Sequence, residues 1–235
     1  MNNFNEIPVV NFTEPNTYRL IPTAYINEPA LTPLADDEID LGILEELEMK
    51  TSTRHQSFVD LPIGIDPNEL VSESFGFGWT YINAAFCYTR VTGNRFNTNE
   101  RGAWYASFGE MALETSKAEV SYHLSNELIN TNTRNNITSY KELISGFTSE
   151  FHDLTNFKDH DCLSIDINVA YSSGQQLAKD ALSNQGSGII YPSARMNNGQ
   201  CIAVFRPHLI QNIRHGDTWI FKWEDSYDPV ITQGK

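Results

Sequence analysis

Two short runs in this chain put polar groups suited to a charged ligand beside turns. The first opens on Gly93-Asn94-Arg95-Phe96-Asn97 and continues at Trp104-Tyr105-Ala106-Ser107. It ends in Glu114-Thr115-Ser116-Lys117-Ala118-Glu119-Val120-Ser121-Tyr122-His123. The second is Gly188-Ile189-Ile190-Tyr191-Pro192-Ser193-Ala194-Arg195. An arginine in a glycine turn offers paired donors in a fixed fork, the geometry that suits phosphate. A tyrosine supplies a flat apolar face with a hydroxyl handle, and a carboxylate can stabilise positive charge as it develops. Ser193 can donate a hydrogen bond to an oxygen of a ligand. A nucleophilic role is not expected, because no histidine or lysine stands beside it in sequence to take its proton.

Each residue also has a plainer use. Arg95 could pair with a surface acid, Tyr105 could fill core beside Trp104, and Glu119 could be an exposed helix acid. Ser193 could cap a turn, with Tyr191 and Arg195 shaping it. Arg19 could be a strand-edge charge, and His123, one helical turn after Glu119, a packed or solvated histidine. The functional readings hold only jointly.

Other chemistries find little support. There is no GxxxxGK[ST], no HExxH and no GxGxxG after a strand. Phe75-Gly76-Phe77-Gly78 lacks a third glycine and reads as a turn. Asp159-His160-Asp161 could ligate a metal, but a solvated turn is the better reading, and no metal is expected. Cys87, Cys162 and Cys201 are widely spaced and odd in number, so reduced thiols are expected rather than a disulfide framework or a zinc site. A formal net charge of -14 repels phosphate backbones and anionic membrane surfaces, which argues against direct nucleic-acid or membrane binding. No apolar run approaches the length of a membrane span, and the first thirty residues lack the charged and apolar regions of a signal peptide. A cytoplasmic, reduced setting is expected. An acidic chain that binds an anion must also gather its arginines into a locally positive pocket.

The elements that would position these groups can be read from pattern. The 235 residues suit one large domain, with a proline-rich segment over about 1–38 packed on it, extended near Thr17–Ile21. Residues 37–50 have helical spacing, with acids in the first turn. Residues 54–78 read as loop, and residues 79–107 as strands and turns, with Trp104–Ser107 a short strand. A helix is predicted over 110–129, placing Thr115, Ala118, Glu119 and Tyr122 on one face. A loop over 130–139 precedes strands near 142–153 and 163–167. A helix over 172–184 follows, then strands at Ile189–Tyr191, Cys201–Phe205 and Thr218–Trp223. Strands and helices alternate irregularly, so the fold class expected is mixed α+β.

The two runs together resemble the RES domain, a family named for its arginine, glutamate and serine. Gly93–Asn97 is similar to the family's glycine-arginine turn, Tyr105–Ser107 to its Tyr-Ala-Ser strand, and Glu114–Glu119 to the Glu-Thr-Ala-x-Ala-Glu helix of one branch, with Ser116 in place of alanine. Gly188–Arg195 resembles the late Gly-Ile-x-Tyr-Pro-Ser-x-Arg closely. Tyr18-Arg19-Leu20-Ile21-Pro22-Thr23 and Ala84-Ala85-Phe86 look like further pieces of that branch, so the resemblance spans about residues 17–224. The first family arginine is carried to Arg19, with Arg90 as a competitor.

The resemblance implies a toxin of a bacterial toxin–antitoxin pair, similar in core to ADP-ribosyltransferases, with a small central sheet and flanking helices. It implies NAD⁺ as substrate, cut between nicotinamide and ribose by a glycohydrolase or phosphorylase, and an Xre-type helix-turn-helix antitoxin as partner. Arg19, Arg95, Tyr105 and Ser193 would then bind NAD⁺, and Glu119, Arg95, Tyr105 and Ser193 would serve catalysis. Protein ADP-ribosylation, and a catalytically idle antitoxin-binding module, are the alternatives.

Overall fold

The computed structural model describes residues 4–26 and 61–234. The helix expected over 37–50 lies outside the described residues. Among the described residues, seven strands run in the order β1-β2-β5-β4-β3-β6-β7. They are β1 (Val9–Pro22), β2 (Trp104–Phe108), β3 (Asn136–Asp153), β4 (Gly188–Pro192), β5 (Gln200–Val204), β6 (Gln211–Trp223) and β7 (Val230–Gln233). Three α-helices accompany them among the described residues: α1 (Trp79–Cys87), α2 (Ala112–Asn130) and α3 (Ile167–Ser183). The mixed α+β class read from pattern holds.

The long strand β3 organises the sheet. From Tyr140 to His152 it pairs antiparallel with β1, from Pro22↔Tyr140 to Val9↔His152. Its first half also pairs with β6, and its last two residues pair in parallel with β4. Since β1 also bridges to β2 at Tyr18↔Ser107, strands β1, β2, β5, β4 and β3 close on one another, and β6 and β7 extend from β3. The sheet is thus larger than the small core expected. Pro15 has no N–H for a ladder, and it falls in the bulge between Glu14 and Thr17, where none is needed.

Three apolar clusters fill the molecule. The central one joins Ile82 and Phe86 of α1 to Trp104, Leu143, Phe147, Phe151, Ile190, Ile202 and Val204 from the sheet. A second lies between α3 and strands β4 and β5, around Leu177, Ala181, Ile189 and Ala203. The third packs Leu113, Val120, Leu124 and Leu128 of α2 over Leu20, Tyr140, Phe221 and Trp223.

Local structure departs from the sequence expectation in several places. Residues 79–87 form a helix rather than strands and turns. Ile82 and Phe86, four apart and both fully buried, supply the helical stripe, which overrides the strand leaning of the aromatics. Residues 163–167 hold no strand; a 3₁₀ turn at Asp161–Leu163 leads to Asp166, whose side chain caps α3 by accepting from Asn168 N–H at 2.9 Å. Helix α3 therefore begins five residues before the expected start. Strand β3 begins at Asn136, inside the expected 130–139 loop, and β7 was not foreseen.

Candidate active site

The glycine turn comes first. Gly93 has φ +66°, and a Cβ there would meet the Asn97 carbonyl oxygen at 2.1 Å, so only glycine fits. Asn94 N–H donates to that carbonyl at 2.8 Å and closes the turn. Tyr105, on β2, fastens it from below: its hydroxyl donates to Asn97 Oδ1 at 2.8 Å and accepts from Phe96 N–H at 3.0 Å. The hydroxyl expected as a handle for a ligand is thus committed to the turn that carries Arg95. Helix α3 fastens the turn from the other side. Gln175 Nε2 donates to the carbonyls of Thr92 and Asn94, each at 3.0 Å, and Gly174 lies so close that a Cβ would sit 2.2 Å from the Arg95 carbonyl oxygen. The Arg95 guanidinium donates to the Cys162 carbonyl.

Arg19 reaches the same region from β1. It donates to the Tyr105 carbonyl at 3.2 Å, and its guanidinium lies 4.9 Å from the centre of the Trp104 ring. Burial lowers its pKa to about 10, which leaves it charged at neutral pH. The competing Arg90 sits on the surface, paired to Glu127 at 2.8 Å with both side chains more than half exposed. Of the two, Arg19 is the one built into the strand bed beneath Tyr105.

Glu119 and Ser193 meet directly. Ser193 Oγ donates to Glu119 Oε1 at 2.6 Å and accepts from the N–H groups of Arg195 and Met196, at 3.0 and 3.1 Å. The β4–β5 hairpin is pinned to α2 at Gly199, where a Cβ would come within 2.5 Å of Thr115 Oγ1. That contact delivers Ser193 to Glu119 across 74 residues of sequence. Ser193 is therefore both the turn cap of the plain reading and a partner of the carboxylate.

The surroundings of Glu119 are cationic and aromatic. Arg195 lies over the Tyr122 ring, 3.4 Å from its centre, and Tyr122 stands edge-on to His123. His123 Nε2 is 4.0 Å from Glu119 Oε2. Loss of water contact, and then the positive field of Arg90, Arg195 and Arg95, push His123 down to about 4, so it is neutral at pH 7 and makes no ion pair with Glu119. The same three arginines bear on Tyr171 of α3, whose hydroxyl desolvation raises. Among the described residues, Arg19, Arg95 and Arg195 form no ion pair with a carboxylate. Arg90, Arg195 and Arg95 thus place positive charge about His123, one helical turn from Glu119.

The structure thus gathers the sequence candidates into one region. Tyr105 shares β2's surroundings with Arg19 and Arg95, and Glu119 holds Ser193. Tyr171, Gly174 and Gln175 were not singled out from sequence, although their i, i+3, i+4 spacing marks one helix face. Asp159-His160-Asp161 has a local task instead: His160 Nδ1 accepts from Cys162 N–H at 3.2 Å. The three cysteines are free thiols. Among the described residues no group of three or more His, Cys, Asp or Glu side chains converges, and no helix is long and apolar enough to cross a membrane.

The fold is an α+β domain with a closed set of five strands and a carboxylate–serine pair, Glu119 and Ser193, beside Arg195. The chain belongs to the RES domain family, whose pattern matches residues 73–224. No curated protein matches it. Among solved structures, a chain of the M. tuberculosis MbcT–MbcA toxin–antitoxin complex is similar at 10% identity and a TM-score of 0.45, over 92% of this chain and 87% of that one.

Proposed function

We propose that this RES-domain protein is a toxin that cleaves the bond between nicotinamide and ribose in NAD⁺, with water or inorganic phosphate as acceptor. An Xre-type helix-turn-helix antitoxin is the partner expected to restrain it. The observation that carries the reading is the 2.6 Å contact of Ser193 with Glu119 beside Arg95 and Arg195, which have no carboxylate partner among the described residues. Arg19 and Arg95 suit the two phosphates of a pyrophosphate, since among the described residues each gives only one donor to a backbone carbonyl. Tyr105 and Tyr171 offer ring faces beside them.

As the glycosidic bond lengthens, positive charge builds on the ribose and nicotinamide leaves as a neutral base with the bonding electron pair. Glu119 is placed to stabilise that charge and to accept from a ribose hydroxyl. Ser193 holds one of its oxygens still, and the two backbone N–H groups on Ser193 orient the hydroxyl proton toward the carboxylate. The acceptor then bonds to the ribose carbon.

The test is incubation of purified protein with NAD⁺, with and without inorganic phosphate, with products resolved by chromatography. Release of nicotinamide by the parent and its loss in Glu119→Ala supports the reading. Phosphate-dependent formation of a phosphorylated ADP-ribose names the acceptor. Folded protein that releases nothing in either buffer overturns it.

A further inference from the structure

His123 has no task in the scheme above, yet its position is specific. It stands one turn beyond Glu119 on α2, with its side chain 44% exposed on the same face and Nε2 4.0 Å from Glu119 Oε2. That separation is too long for a hydrogen bond but fits a single bridging water. Two contacts of about 2.8 Å span it at an angle of about 90° at the water oxygen. Glu119 Oε1 is already taken by Ser193, so Oε2 is the oxygen left for such a molecule.

We propose that His123 is the base that takes the proton of the acceptor water, which it holds jointly with Glu119 Oε2. This rests on the NAD⁺-cleaving reading. In the step, the C1′–N bond breaks and its electron pair leaves with nicotinamide. The water oxygen bonds to C1′, and its proton passes to His123 Nε2 and then to solvent. The products are ADP-ribose, nicotinamide and one proton, so the step balances without another reactant.

The neighbours support this assignment. His123 is faced by Glu119 and Tyr122 of its own helix, by Arg90 and Arg95 from the loops ahead of β2, and by Arg195 from the β4–β5 hairpin; Glu127 on α2 pairs with Arg90. Desolvation, and then the three cations, keep the imidazole unprotonated, and the tautomer protonated at Nδ1 has its lone pair at Nε2 for the water. Their charge also makes it a weak base before substrate binds. Pyrophosphate binding would offset their charge and strengthen the base when substrate is present.

The deciding experiment compares the parent chain with His123→Gln, using NAD⁺ in buffer with and without azide. Azide attacks through a nitrogen that carries no proton, so its capture of the ribosyl cation needs no base. Hydrolysis should fall about 100-fold in the variant, within the range general-base catalysis supplies. Azide capture should stay within about threefold of the parent, and the acid limb of the kcat–pH profile for hydrolysis should disappear. Hydrolysis and azide capture falling together would mark His123 as structural and overturn the proposal. So would hydrolysis within threefold of the parent. If the parent captures no azide, persistence of the acid limb in the variant overturns it. A parent that cleaves NAD⁺ only when inorganic phosphate is added overturns the proposal, and one that cleaves none with water, azide or phosphate refutes the preceding reading instead.

Discussion

Ser193 shows how a small side chain can serve structure and chemistry together. Its oxygen accepts two backbone N–H groups while its proton goes to Glu119. Ser193→Ala should therefore lower stability by about 1 kcal/mol, the usual cost of losing a capping side chain. It should cut NAD⁺ turnover by more than that loss accounts for, because Glu119 loses its positioning partner. A thermal melt beside a nicotinamide-release assay separates the two effects. Tyr105→Phe should behave differently. It keeps the ring but leaves Phe96 N–H without its acceptor and Asn97 Oδ1 with Asn94 Nδ2 alone, so it should loosen the Arg95 turn. The expected result is a raised KM for NAD⁺ and a lowered melting temperature.

At the scale of elements, the site depends on close approaches that only glycine permits. Helix α3 rests on the Arg95 turn through Gly174, and the β4–β5 hairpin rests on α2 through Gly199. Gly174→Ala places a methyl group 2.2 Å from a backbone oxygen, which neither partner can avoid without moving. The helix would gain intrinsic propensity of roughly 1 kcal/mol from alanine, but the clash should outweigh it, because overpacking typically costs 1–3 kcal/mol and here meets rigid backbone. Urea unfolding should show a net loss of stability, and KM for NAD⁺ should rise. A mutation in the central core is the control: Phe86→Ala removes a fully buried ring and should cost about 3–5 kcal/mol with no selective effect on KM.

The whole molecule sets the charge balance. A chain of net charge -14 brings Arg90, Arg95 and Arg195 to bear on His123 and Tyr171, so the proposed anionic substrate would meet local positive charge on a negative body. Raising ionic strength should weaken NAD⁺ binding through screening of those arginines, measurable as a KM that climbs with salt. Stability should fall with acid for two reasons of the same sign. His123, His152 and His160 are all held below the ordinary histidine pKa by burial, so the unfolded chain binds more protons as pH falls below 6.5. Glu69 is held below the ordinary carboxylate value by its hydrogen bond to Arg101, and its contribution is lost as pH drops through that lowered pKa. The melting temperature should decline steadily from pH 7 to pH 4. His123→Gln should make the upper part of that decline shallower.

How much of this could be read from the residues alone varies with the distance over which each interaction acts. Helix α2, the short strands β2, β4 and β5, and the turn at Gly93 are legible because periodicity, propensity and a left-handed glycine are local properties. The candidates Arg95, Tyr105, Glu119 and Ser193 were legible as types, since their order along the chain resembles a known pattern. Helix α1 was misread because aromatic residues favour strands until a core rewards a helical stripe. The extent of β3, the presence of β7 and the closure of five strands depend on pairing between residues far apart in sequence. Most of the chemistry is of that kind. Nothing in the residues around Ser193 points to Glu119, and nothing near Tyr105 says that its hydroxyl fastens the Arg95 turn. Tyr171 and Gln175 have no motif of their own. Composition and local spacing settle which groups the chain has and which short elements carry them. Only the packing of hairpin on helix and helix on turn decides which of those groups touch, because contact at 3 Å is a property of the assembled core.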